Sequence, residues 1–321
     1  MLDILRVTFP FFALVLCGYV AARKRWLPLD AIPGLNTFVL YFALPCMLYR
    51  FGASTPFAQL VDVGASSVYL VCALVMVGLT IATSRNERIG WNDASLGALV
   101  AAFPNTGFMG VPLLIALLGA TAAGPAVLTI LIDILVTSSL CIALSRLDGA
   151  DEHGASKAAK NALMGAAMNP MPWAIVLGGA ASATGFVPWK PIDDTVRLLG
   201  DAASPVALFT IGAVLARSQY IAALHEHAPM PPRDYVPIVF IKLLVHPLLV
   251  WGAGHAAIAL GVPLRPDALT VMVLVAALPS ASNVAILAER FGADSGRIAR
   301  IIMITTAAAF LTFSAAVALL K

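Results

Sequence analysis

Ala101-Ala102-Phe103-Pro104-Asn105-Thr106-Gly107-Phe108-Met109-Gly110-Val111-Pro112 lies inside an apolar stretch of about 93–118, and it cannot form one uninterrupted helix. A proline inside a helix removes a backbone hydrogen bond and clashes with the preceding turn, at about 3 kcal/mol. Two prolines with Gly107 and Gly110 between them therefore predict a break. Pro104 is 12 residues after Asn92 and 15 before Gly119. At about 1.5 Å per helical residue this is close to the middle of a bilayer. The same device returns 175 residues later as Ala276-Ala277-Leu278-Pro279-Ser280-Ala281-Ser282-Asn283, with Pro279 12 residues after Asp267 and 13 before Gly292.

Working outward from these breaks, the whole chain repeats. Pro10, Gly18, Pro28 and Pro45 recur as Pro170, Gly178, Pro188 and Pro205, each 160 residues on and without a gap. Two halves that carry interrupted apolar helices at matching places point to a secondary transporter. Composition agrees: of 321 residues 60% are hydrophobic and 12% charged, where globular domains carry about 25% charged residues. A soluble fold is excluded. The net charge of +3 is spread over helix ends, so it does not indicate a nucleic-acid partner. The first apolar run begins at Leu2 and is followed by Arg23-Lys24-Arg25, the reverse of a signal peptide's charge order; it is expected to stay as a span. Cys17, Cys46, Cys72 and Cys141 fall in apolar segments without a CxxC pair, which argues for small buried hydrophobes and against a metal or a disulfide. No cofactor is expected.

Ten spans are predicted, roughly 3–22, 32–50, 61–83, 93–118, 123–146, 168–187, 192–216, 235–260, 267–290 and 298–320, making an all-α polytopic membrane protein. Five spans per half is an odd number, so the second half enters the membrane from the opposite side and the repeat is inverted. With the N-terminus outside, the cytoplasmic connections hold 13 Lys and Arg against 6 at the outer ends, which places both termini outward. The expected organisation is 1–146 for the first five-helix repeat, 147–167 for a cytoplasmic linker, and 168–321 for the second.

A helix broken at membrane depth frees amides and carbonyls that lipid cannot satisfy, and is tolerated only beside protein or a water-filled cavity. Small hydrogen-bonding residues follow both prolines: Asn105 and Thr106 with Gly107 after Pro104, and Ser280, Ser282 and Asn283 after Pro279. Half-helix N-termini carry partial positive charge, so two meeting at the midplane make an anion site without an arginine. The competing reading is a pair of kinks that only bend helices for packing. Ionisable groups inside spans are costly and usually functional. Asp133, about ten residues from either end of its span, is a candidate for coupling-ion binding or for holding the crossing, or else a packing carboxyl. Lys242 could work in the interior or snorkel to the interface, and His246 one turn on could titrate near neutrality or be a satisfied core histidine. Asn36 is read as a packing residue and Glu289-Arg290 as an interfacial anchor.

Pro104-Asn105-Thr106-Gly107-Phe108-Met109-Gly110-Val111-Pro112-Leu113, taken with Leu278-Pro279-Ser280-Ala281-Ser282-Asn283-Val284, resembles the auxin efflux carrier family, and within it the bacterial branch of malonate- and malate-type permeases. The resemblance implies a 5 + 5 inverted repeat akin to the bile-acid-symporter-like and sodium/proton-antiporter-like folds. It implies that spans 4 and 9 cross at their breaks with substrate beside the crossing. Spans 1, 2, 6 and 7 would form a scaffold, and spans 3–5 and 8–10 the moving domain, in a bacterial cytoplasmic (inner) membrane. The long central loop of the plant carriers is missing, which disfavours auxin itself. The expected partners are a small organic anion and the lipid bilayer, with a proton or sodium as coupling ion, uniport and a homodimer all left open. A channel is the main alternative, although the Asn-Pro-Ala half-helix pair of water channels is absent. An intramembrane enzyme is disfavoured: His225-Glu226-His227 is no HExxH, and Asp133 has no second intramembrane aspartate.

Overall fold

Long runs of Ala, Leu, Val and Ile can satisfy their backbones in an apolar surrounding only as helices, and helices are what form. The structure, a computed structural model, describes residues 2–55, 62–147, 170–224 and 231–320, so all but the first residue of the expected linker 147–167 lies outside it. Among the described residues the only β pairing is two isolated bridges, Asn86 with Ile89 and Pro104 with Ser280. In chain order the helices are α1 (Leu2–Arg23), α2 (Leu29–Ser54), α3 (Val63–Ser84), α4 (Trp91–Ala102), α5 (Thr106–Leu118) and α6 (Ala120–Leu144). Then come α7 (Pro170–Thr184), α8 (Lys190–Leu224), α9 (Val236–Ala259), α10 (Pro266–Ala276), α11 (Asn283–Phe291) and α12 (Ser295–Leu320).

Seven helices among the described residues are long and apolar enough to cross a membrane: α1, α2, α3, α6, α8, α9 and α12. The other three expected spans hold shorter pieces. Span 4 is α4 followed by α5, span 9 is α10 followed by α11, and α7 has 15 described residues. The proline rule places both interruptions correctly, since α4 stops two residues before Pro104 and α10 three before Pro279. Pro10 and Pro205, by contrast, stand inside continuous helices.

α4 and α10 are apolar all round, and every residue of Ala94–Ala102 is buried, as is every residue of Val271–Ala281. This is the pattern of a helix enclosed by others. The outer helices instead expose large apolar side chains such as Phe9, Leu16, Leu177, Leu198 and Leu311, a surface that only lipid or another protein would cover. Buried Arg297 at the start of α12 ties loops together: its Nε donates to Asp234 O (2.8 Å) and its Nη1 to Asp93 O (3.0 Å). The backbone N–H of Asp294 in turn donates to Asp93 Oδ1 (2.7 Å).

The packing of α1 on α8 and of α2 on α7 is set by glycines. Gly18 sits against the Phe209 carbonyl and Gly178 against the Tyr49 carbonyl; Gly212 sits against the Val15 carbonyl and Gly52 against the Ile175 carbonyl. At the 160-residue offset, 18 with 209 becomes 178 with 49, and 15 with 212 becomes 175 with 52. The two close approaches are one contact with the halves exchanged. A Cβ at Gly178 would drive into the backbone of Tyr49 and Ala53, which cannot rotate away. Gly178→Val is therefore expected to destabilise by about 1–3 kcal/mol or more, read as a lower melting temperature in detergent, whereas Gly252→Ala, at a position with nothing within 4 Å, leaves it unchanged.

Candidate functional site at the helix crossing

Proline has no N–H, so residues at the two breaks leave helical pairing and use their remaining groups on each other. Phe103 turns extended (φ −97°, ψ 101°) as its N–H closes the last turn of α4 on Leu99 O. The breaks then run antiparallel: Asn105 N–H donates to Pro279 O (2.8 Å) and Ala281 N–H to Phe103 O (3.0 Å). Ser280 N–H donates to Thr305 Oγ1 on α12 (3.3 Å). Asn105 O accepts from both Met109 and Gly110 N–H, which opens α5 with a π turn over Thr106–Gly110. The two interrupted helices are thus joined backbone to backbone at Pro104 and Ser280.

The side chains there are polar, enclosed and unpaired. Asn105 (3% exposed), Thr106 and Ser280 (both 0%) are buried, yet Asn105 Oδ1, Thr106 Oγ1 and Ser280 Oγ have no hydrogen-bond partner in the structure. Asn283, half-buried at the start of α11, likewise has an unpartnered Oδ1. Ser282 is buried, and Gly107 faces Leu44 of α2. Buried polar atoms are normally satisfied, and an unmade bond costs about 1–3 kcal/mol. A group of them at one backbone crossing is what a polar guest would complete.

A second polar group stands behind the crossing. Lys242 does not snorkel: it is fully buried, and its Nζ donates to Ala276 O (3.1 Å), the last carbonyl of α10, with His246 Nδ1 3.1 Å away. A cation at a helix C-terminus is favoured by the exposed carbonyls there. His246 is also fully buried, and its Nε2 has no partner. Asp133, fully buried on α6, accepts from Tyr69 Oη (2.9 Å) and Thr137 Oγ1 (3.1 Å) and interacts electrostatically with Lys242. Both Asp133 and Lys242 sit in π turns, Asp133–Thr137 and Ile241–Val245, a local widening that is frequent at functional sites. Tyr69 and Thr305 escaped sequence reasoning because a tyrosine or threonine in an apolar span carries no mark of what it faces. Among the described residues no group of three or more His, Cys, Asp or Glu could hold a metal ion.

This arrangement of all-helical spans and a doubly broken, hydrogen-bonded crossing belongs to a membrane transport protein. Residues 4–317 match the family described as membrane transport protein, and the chain belongs to it. It is 29% identical over 312 residues to the "Putative malonate transporter" of Rhizobium meliloti (strain 1021), covering 95% of this chain and 92% of that protein. It is 27% identical over 293 residues to the uncharacterized transporter YfdV of Escherichia coli (strain K12), covering 88% and 86%. Auxin efflux carrier component 4 of Arabidopsis thaliana matches 151 residues at 26%, which is 46% of this chain and 24% of the plant protein. The resemblance drawn from the two proline motifs is borne out.

Proposed function

We propose that this chain carries a small organic anion, a mono- or dicarboxylate, across the bacterial inner membrane by alternating access, as a secondary active transporter or uniporter. The observation that carries the reading is the antiparallel pairing of Phe103–Asn105 with Pro279–Ala281 beside the unpartnered side chains of Asn105, Thr106 and Ser280. In this reading ten spans form a 5 + 5 inverted repeat, and substrate binds at the crossing against Asn105, Thr106, Ser280, Ser282 and Asn283. Asp133, Lys242 and His246 are assigned to coupling or support. α1, α2, α7 and α8 form the scaffold and the remaining helices the moving domain; the glycine contacts exchanged between halves support that grouping. The Rhizobium relative's name supports malonate as the first dicarboxylate to try.

Binding is tested by the thermal shift of purified protein with malonate, its monoamide and its diamide, with and without sodium and at two pH values, since a ligand of the folded state alone must stabilise it. Malonate is expected to raise the melting temperature and the diamide to leave it unchanged, because sites built on hydrogen bonds to charged groups discriminate steeply. Equal shifts by all three would sink the anion reading. Topology is tested separately in a background without native cysteines. A cysteine at Lys24 is expected to label only from the cytoplasm and one at Lys190 only from outside. Labelling of both from one side would refute the inversion.

A further inference from the structure

We propose that the pocket between the C-terminal parts of α1 and α8 binds the phosphate of an anionic phospholipid; the inference requires a membrane but not any particular transported substrate. The pocket has a volume of about 240 Å³, with Arg23, Arg25, Gln219 and Tyr220 as its polar lining and Ala22 and Ala216 among its apolar lining. Three candidate spans end around it: Arg6–Arg23 and Lys190–Arg217 finish there, and Leu29–Ser54 begins there. Its level is therefore that of the lipid headgroups. Trp26, 77% exposed, suits the same level, where indole rings concentrate.

The two arginines are held in place without carboxylate partners. Arg23 Nη1 donates to Tyr19 Oη (2.9 Å), and Tyr19 Oη donates to Gln219 Oε1 (2.6 Å). The Arg25 guanidinium lies 4.3 Å from the centre of the Tyr220 ring. Among the described residues neither arginine comes within ion-pair distance of Asp or Glu. Arg25 is also the one described non-glycine residue with positive φ, at 62°. Ordinary interfacial anchoring explains a basic side chain after α1, but it does not require a left-handed arginine. Glycine would close the helix at less conformational cost. With that backbone, which closes the end of α1 through Arg25 N–H to Ala22 O and Leu27 N–H to Ala21 O, the Arg25 side chain lies over Tyr220 in the pocket wall. Two guanidiniums without carboxylate partners, lining one cavity of headgroup size where spans end, match a phosphate diester, and basic pockets between spans recognise such headgroups.

Purified protein in a neutral detergent, given added phosphatidylglycerol, is expected to show a melting temperature raised by several degrees, with no rise from phosphatidylcholine. The double variant R23Q/R25Q is expected to lose the phosphatidylglycerol shift. R25G, which relieves the positive φ while removing the guanidinium, is expected to melt at or above wild type without lipid yet to show a smaller lipid shift. An unchanged phosphatidylglycerol shift in both variants would overturn the proposal. A wild-type shift given equally by phosphatidylcholine would overturn it too. If millimolar inorganic phosphate alone reproduces the full effect, the pocket takes free phosphate and the lipid assignment is wrong.

Discussion

Asn105→Ala and Asn283→Ala are each expected to lower transport of the cognate anion by at least about tenfold, the loss that follows when a hydrogen-bonding site is stripped of its partner, without lowering stability. The second half of that expectation comes from where the bonds are. Asn105 holds the crossing through its backbone: its N–H donates to Pro279 O, and its carbonyl accepts from Met109 and Gly110. Alanine keeps all three. What it removes is a buried amide whose Oδ1 has no partner, and removing an unsatisfied polar group is neutral or favourable for folding. A residue needed only for packing would behave in the opposite way, losing stability first and activity as a consequence. Counterflow in proteoliposomes together with melting temperatures reads both axes. Full transport by both variants would show that the polar residues after the breaks do not bind substrate, whereas parallel loss of transport and stability would reduce them to structural parts.

Much of this architecture is legible in the chain because proline and glycine act locally. Pro104 and Pro279 mark breaks where small polar residues follow them, and α4 and α10 end just before, whereas Pro10 and Pro205 are carried inside α1 and α8. The 160-residue offset seen in Pro10 and Gly18 reappears in space, where Gly18 and Gly178 make one contact with the halves exchanged. The same reasoning fails where the outcome is set by a partner distant in sequence. Nothing near Lys242 says that its ammonium will find the last carbonyl of α10, 34 residues on, and not the interface. Arg297 reads as one more charge at a cytoplasmic helix end, but it is buried against carbonyls of Asp93 and Asp234. The side chains of Asn105 and Asn283 are expected to face a cavity, while the backbone N–H groups of Asn105 and Ala281 are spent on the opposing break. The antiparallel pairing could not be read in advance, since a proline marks where a helix can stop and not what the freed backbone meets.

The strongest test of the buried charges uses three variants together. Lys242→Met removes the ammonium at nearly constant volume, leaving Ala276 O without its donor and Asp133 without the opposite charge that interacts with it. The buried Ala276 carbonyl then lacks its donor, at about 1–3 kcal/mol, so the single variant is expected to melt below wild type. Asp133→Asn in the same chain removes the carboxylate: its one amide oxygen keeps one of the two bonds that Tyr69 Oη gives to Oδ2 and Thr137 Oγ1 gives to Oδ1, its Nδ2 donates to the other hydroxyl oxygen, and the double variant is expected to recover part of the loss. Ligand response then separates the two roles of Lys242. If its charge serves the substrate through the crossing, the double variant, although stable, still shows no thermal shift with malonate, and Lys242→Arg restores neither because a planar fork does not replace a point charge in a closed pocket. If malonate binding returns together with stability, Lys242 and Asp133 are a structural pair that holds α9, α10 and α6 together, and the anion is recognised by the uncharged crossing alone.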